Sequence, residues 1–99
     1  MTAACPIYGF DVELVPSRGV HPATFEGARR EFMTVIVDEA GLEAVEIAGA
    51  PWRVTLTRVG SQATEMDREA VADWGRSRQD VLTVVLGPLV ELRRRDVGR

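Results

Sequence analysis

A chain of 99 residues with 45% hydrophobic and 27% charged residues describes one domain spanning 1–99, with a single core. One cysteine, Cys5, and one histidine, His21, exclude an intrachain disulfide and a Cys/His zinc cluster. The formal charge of −3 divides into net −6 over residues 1–75 and net +3 over residues 76–99, an acidic body with a basic end. That division argues against a free-standing nucleic-acid binder with a basic face and leaves room for a local contact through the tail.

The segment IYGFDVELV alternates, with Tyr8, Phe10, Val12 and Leu14 on one side and Gly9, Asp11 and Glu13 on the other, the period of a half-buried strand. PSRGVHP breaks it as a loop. Pro22 opens a helix at a position that spares an N–H, and Phe25, Ala28, Phe32, Ile36 and Ala40, with Val35 beside them, give it an apolar stripe. Gly41 follows as the residue able to turn left-handed and stop it. LEAVEIAG predicts a short strand with Val45 and Ile47 inward. After the turn GAP, WRVTLTRV predicts another with Trp52, Val54 and Leu56 inward and Arg53, Thr55 and Thr57 outward, the two forming a hairpin.

ATEMDREAVADWG reads as a second helix. Thr64 is its N-cap and Asp67 stands in capping-box position. Met66, Ala70, Val71 and Trp74 form the stripe, and Gly75 is the stop. The stretch VLTVVLGPLVELRRR runs ten nearly apolar residues into three arginines. Its first part lacks alternation and is β-branched, so it reads as a strand with much of both faces covered. The order β-α-β-β-α-β then predicts an α+β, ferredoxin-like sandwich: a four-stranded antiparallel sheet with both helices on one face, an ordered core over about 7–91 and a basic tail over 92–99.

No catalytic constellation emerges. His21 precedes Pro22 in a loop without an orienting acid or a nucleophile, the setting of a loop or capping histidine. Cys5 has no arginine within twelve residues to lower its pKa. Asp38, Glu39, Glu43 and Glu46 straddle a helix end and a strand and read as a solvated acidic rim. No glycine-rich run carries a lysine behind it. An RNA-recognition sheet would present aromatic residues outward, whereas the outward positions here are Gly9, Asp11, Glu13, Arg53, Thr55 and Thr57, with both tryptophans inward. A non-enzyme without cofactor or metal is expected. With no charged-then-apolar leader in MTAACPIYGF and no apolar run near the roughly 20 residues a bilayer requires, its expected place is the cytoplasm, without membrane or DNA partners. All twelve basic residues are arginine. Guanidinium recognition of phosphate and GC-rich codon usage both account for that.

The residues YGFDVELV, EFMTVIVDEAGLE, ATEMDREAVADW and LTVVLGPLVE resemble the YggL-type family over residues 8–91. Its members place Gly-Phe at the start of the first strand, a Thr with a basic residue and a Trp on the second helix, and a late Val-Gly-Pro-Leu. The resemblance implies a small adaptor on the large ribosomal subunit, touching rRNA or ribosomal protein. Two departures stand out: family members carry an Arg- and Lys-rich leader before the first strand, and they end in an Asp-Ala-Trp-like tail where this chain has VELRRRDVGR. The candidate binding residues are therefore Arg93, Arg94 and Arg95, with Arg76 and Arg78 of the same basic end. Arg93–Arg95 also read as a solvated terminus that keeps an apolar strand soluble. A second expectation from the topology is a module similar to amino-acid-binding ACT domains, a homodimer binding its ligand near PSRGVHP.

Overall fold

The computed structural model describes residues 7–47, 52–58 and 62–92. Strand β1 (Ile7–Pro16) leads to helix α1 (Pro22–Glu31), which runs straight into a π-helical segment (Phe32–Asp38). Then come β2 (Leu42–Ile47), β3 (Trp52–Arg58), helix α2 (Glu65–Arg76), β4 (Leu82–Leu86) and β5 (Val90–Leu92). The sheet order is β2-β3-β1-β4, all neighbours antiparallel, with β5 continuing along β1 beyond β4. This is the ferredoxin-like βαββαβ arrangement, with one strand more than the sequence suggested.

The alternation of β1 and β3 is as read from the sequence. Phe10, Val12, Leu14, Val54 and Leu56 are fully buried against Ala28, Phe32, Ile36 and Val37 from the first helix and Val71 and Trp74 from α2, so both helices cover one face. Phe32 sits at the centre, edge-on to Trp52 at 5.9 Å and tilted against Trp74 at 5.3 Å between ring centroids. Both tryptophans point into the core side of the sheet, as expected. The GAP turn and Cys5 lie outside the described residues.

Several expectations are corrected. The first helix does not keep a 3.6-residue period: from Phe32 its bonds widen to five residues, as in Glu39 N–H to the Thr34 carbonyl at 3.0 Å. The wider turn brings Val37 inside beside Ile36 and leaves Val35 and Ala40 exposed. In β2 the register Ala44↔Leu56 places Leu42 and Ala44 inward, so Val45 is 61% exposed and Ile47 shares its outer face. A strand shifted by one residue exchanges its faces completely. In α2 the inward row is Asp67, Val71, Trp74 and Gly75; Met66 is 78% exposed and Ala70 is exposed too.

Gly75 does not end α2 but lies inside it, where a Cβ would stand 2.6 Å from Val84 Cγ2, so the bare glycine lets the helix settle on β4. β4 has one covered face, not two: Thr83 and Val85 are exposed. The start and stop signals that held are local ones, beginning with Pro22 as the first residue of α1. Gly41 adopts φ +76° after the π segment, and Thr64 and Asp67 form the reciprocal capping box of α2. Among the described residues no helix is long and apolar enough to cross a membrane.

Candidate functional site

The last strand does not finish at Gly87-Pro88; it bends there and resumes. Leu86 pairs with Val12 and Val90 with Gly9, so Gly87, Pro88 and Leu89 span a stretch that β1 covers with Phe10 and Asp11 alone. That single surplus residue is a β-bulge. Proline, which has no N–H to give a ladder, is accommodated at such a point. The bulge is held on both sides. Gly87 N–H donates to the Asp11 carbonyl at 2.9 Å, and Arg68 Nε from α2 donates to the Gly87 carbonyl at 2.9 Å while its Nη1 pairs with Glu65 at 2.8 Å. Arg68 is the basic residue of ATEMDREAVADW.

The bulge re-aims the residues beyond it. Leu82, Val84 and Leu86 point toward the helices, and Leu89 still packs on the core. Past the surplus residue Val90 and Leu92 lie opposite Gly9 and Ile7 and share their outer face. Leu92 then uses the space that Gly9 leaves: a Cβ on Gly9 would stand 2.6 Å from the Leu56 carbonyl, 2.9 Å from Leu92 Cδ1 and 3.0 Å from Thr57 Cγ2. Gly9 and Gly87, two of the residues that carry the family resemblance, thus serve one feature. The result is an apolar corner of Ile7, Val90 and Leu92, with Ile7 and Val90 among the exposed large apolar side chains. The sequence did not reveal it, because apolar residues occupy both parities through this stretch; the only signal was the Gly-Pro itself.

The middle of the outer face is polar, with Asp11, Glu13, Arg53, Thr55 and Thr57, and among the described residues it presents no aromatic side chain. Thr55 Oγ1 donates to Asp11 Oδ1 at 2.7 Å, and Glu13 stands opposite Arg53. Of the arginines singled out from the sequence, Arg76 is exposed at the end of α2 and pairs with Asp73. Arg78 binds Glu31 with Nε at 2.6 Å and Nη2 on the other carboxylate oxygen, tying the α2–β4 turn to α1. Arg93, Arg94 and Arg95 lie outside the described residues, and their run begins immediately after β5. Most other arginines are also engaged: Arg29 and Arg30 with Glu26, Arg58 with Asp67 and Arg68 with Glu65.

Two of these pairs shift their carboxyl groups. The Arg78 fork lowers the Glu31 pKa, against a smaller upward push from burial; the Trp74 N–H, which meets no acceptor within hydrogen-bond geometry, adds the weakest downward pull. For Asp67 burial is the largest influence and pushes upward. The Arg58 guanidinium together with the Thr64 N–H at 2.9 Å and the Thr64 hydroxyl outweigh it, and the net shift is down. Arg58 also donates to the Ala40 carbonyl at 2.9 Å, so one Arg–Asp pair joins the end of the π segment to the cap of α2.

His21 caps α1, its Nδ1 accepting from Ala23 N–H at 3.0 Å, which occupies the side chain structurally. Asp38, Glu39, Glu43 and Glu46 are all exposed, and among the described residues no three His, Cys, Asp or Glu side chains gather where a metal ion could bind. Beside the PSRGVHP loop a cleft of about 330 Å³ is lined by Pro16, Val20, Pro22, Phe25, Glu26 and Arg29. The Arg29 guanidinium there lies 5.4 Å from the Trp52 ring centroid and 3.6 Å from Glu26. No family model, no curated protein and no solved structure matches this chain.

Proposed function

We propose that this chain is a small, non-catalytic, cytoplasmic interaction protein that docks on the large ribosomal subunit through its bulged corner. In this reading Ile7, Val90 and Leu92 pack on the partner, and Arg93, Arg94 and Arg95 pair with rRNA phosphates. One observation carries it: the bulge turns two apolar side chains outward at the point in the chain where the arginine run begins. Among the described residues Arg29, Arg30, Arg58, Arg68, Arg76 and Arg78 are each engaged in an ion pair, which supports a contact made by other arginines of the chain. The partner itself comes from the YggL-type resemblance of the Gly-Phe, second-helix and Gly-Pro-Leu motifs.

Co-sedimentation with ribosomes and separated subunits at graded salt tests this. The wild-type chain should travel with the large subunit, with log K falling against log salt at a slope of about −2 to −3 for three phosphate contacts. The triple variant Arg93→Ala, Arg94→Ala, Arg95→Ala should lose that slope, and Leu92→Ser should weaken binding without changing it. Absence of co-sedimentation at every salt concentration would contradict the reading.

A second reading, an ACT-like small-molecule module, is favoured by the cleft at PSRGVHP, whose apolar floor and Arg29–Glu26 pair suit a small zwitterion. Thermal shift against the free amino acids tests it, and a flat response across the set would dismiss it.

A further inference from the structure

β2 and β4 are the outer strands of the sheet, and their sequences differ in the property that decides what an edge does. β2, LEAVEI, exposes Glu43 and Glu46, whereas β4, LTVVL, contains no charge and no proline. Natural sheets guard their edges with charges, prolines or bulges; here the bulge and Pro88 begin only after Leu86, and the five uncharged residues before them are a template for another strand. The backbone of β4 is arranged accordingly. Val81 and Gly87 bond across to Ser17 and Asp11, at 2.8 and 2.9 Å, so by the alternation of an antiparallel ladder Val84 and Leu86 turn their N–H and C=O groups away from β1. The Leu82 N–H is already satisfied by the Arg78 carbonyl at 3.0 Å, which leaves its carbonyl available.

Over this edge runs a groove of about 270 Å³ between α2 and β4, lined by Ala72, Gly75 and Gln79 on one side and by Val84 and Leu86 on the other. Small residues on the helix leave room there, and Val84 and Leu86 are only half covered within one chain.

We propose that β4 is a dimer seam, in which a second copy of this chain pairs its own β4 antiparallel about a two-fold axis through Val84. In that register Val84 exchanges N–H···O bonds with Val84 of the second copy, and Leu86 N–H meets the carbonyl of Leu82 of the second copy. Leu82 stands opposite Leu86 and Thr83 opposite Val85, so no like charges face each other. The half-covered Val84 and Leu86 of each copy enter the groove of the other, and the closed two-fold contact ends the assembly at two chains. The same operation on β2, with its axis through Ala44 or Val45, would set each Glu43 and Glu46 opposite an apolar residue of the second copy, a charge left without a partner. A foreign extended peptide lacks an equivalent anchor, because the one charged side chain on the groove, Arg76, is paired with Asp73. The seam lies apart from the β5 corner and does not depend on the ribosomal reading.

Sedimentation equilibrium from about 1 to 500 µM, with amide hydrogen exchange at the same concentrations, tests the seam. The expected result is a dimer with a dissociation constant in the micromolar range, suited to a short contact, and protection of the Val84 and Leu86 amides that rises with the dimer fraction. Thr83→Lys with Val85→Lys places lysines on exposed positions of one chain and across the seam from each other. This variant should keep the monomer's circular dichroism and raise the dissociation constant by at least about 100-fold. Glu43→Gln with Glu46→Gln should leave the dimer unchanged. A monomer at every concentration would overturn the proposal, as would a dimer indifferent to the lysine pair. A monomer whose Val84 and Leu86 amides are protected only when a Thr-Val repeat peptide is added would give the edge to a peptide partner and also overturn it.

Discussion

Along β2 the outer strand carries Glu43 and Glu46, keeps a simple ladder with β3, and faces Val45 outward without any neighbour built to receive it. Along β4 and β5 the opposite edge carries no charge until Glu91, contains a bulge, and packs Leu92 and Val84 close on Gly9 of β1 and Gly75 of α2. The contrast shows where the chain invests specific residues. Gly9, Arg68, Gly75 and Gly87 each serve the β4–β5 side, whereas among the described residues β2 is secured at its start, where Gly41 turns and Arg58 donates to the Ala40 carbonyl. An edge that is merely guarded tolerates change, whereas an edge that is shaped does not.

Substitutions at the two edges should therefore differ in cost. Gly9→Val drives a Cβ into the Leu56 carbonyl and displaces Leu92, and should cost about 3 kcal/mol in urea unfolding. Asp67→Ala removes the side-chain half of the α2 capping box and the partner of Arg58 together, for about 2–3 kcal/mol. Its pH dependence has a definite sign. Asp67 and Glu31 both have lowered pKa values, so the unfolded chain takes up protons first on acidification. Their contribution is complete above the ordinary carboxylate range, at about pH 4, and is lost as pH falls through the folded values. Unfolding titrations from pH 7 to pH 3 should show a shallower loss in Asp67→Ala than in the wild type.

Arg68→Ala releases the bulge carbonyl and should cost about 1.5 kcal/mol, with increased exchange of the amides at 89–92 as its local mark. Val45→Lys, on the guarded edge, should stay within about 0.5 kcal/mol of wild type by the same unfolding measurement. A Val45→Lys loss as large as that of Gly9→Val would erase the distinction between the edges.

The element order and the faces of β1 and β3 were legible because strict alternation and β-branched content encode them locally. So were the Thr64–Asp67 box and the Gly41 turn, each a signal within four residues. What escaped depends on partners distant in sequence. The inward row of α2 includes Asp67, a carboxylate that reads as surface until Arg58 of β3 is placed beside it. The register of β2 is set by β3, and its mixed pattern LEAVEI fits either face. The π winding of Phe32–Asp38 shifts the helix face without any proline or glycine to announce it. At the candidate site the arginine run was evident, but the corner that precedes it was not, because a one-residue bulge reverses the faces while the apolar spacing continues unchanged.

The most direct test of the shaped edge is the set of nuclear Overhauser contacts made by the Leu92 methyl groups. The bulged register predicts contacts from Leu92 to the Gly9 Hα protons and the Thr57 methyl, with Leu89 touching the core. Contacts from Leu89 to Gly9, with Val90 and Leu92 reaching the helices, would mean an unbulged strand and would contradict the corner on which the proposed function rests.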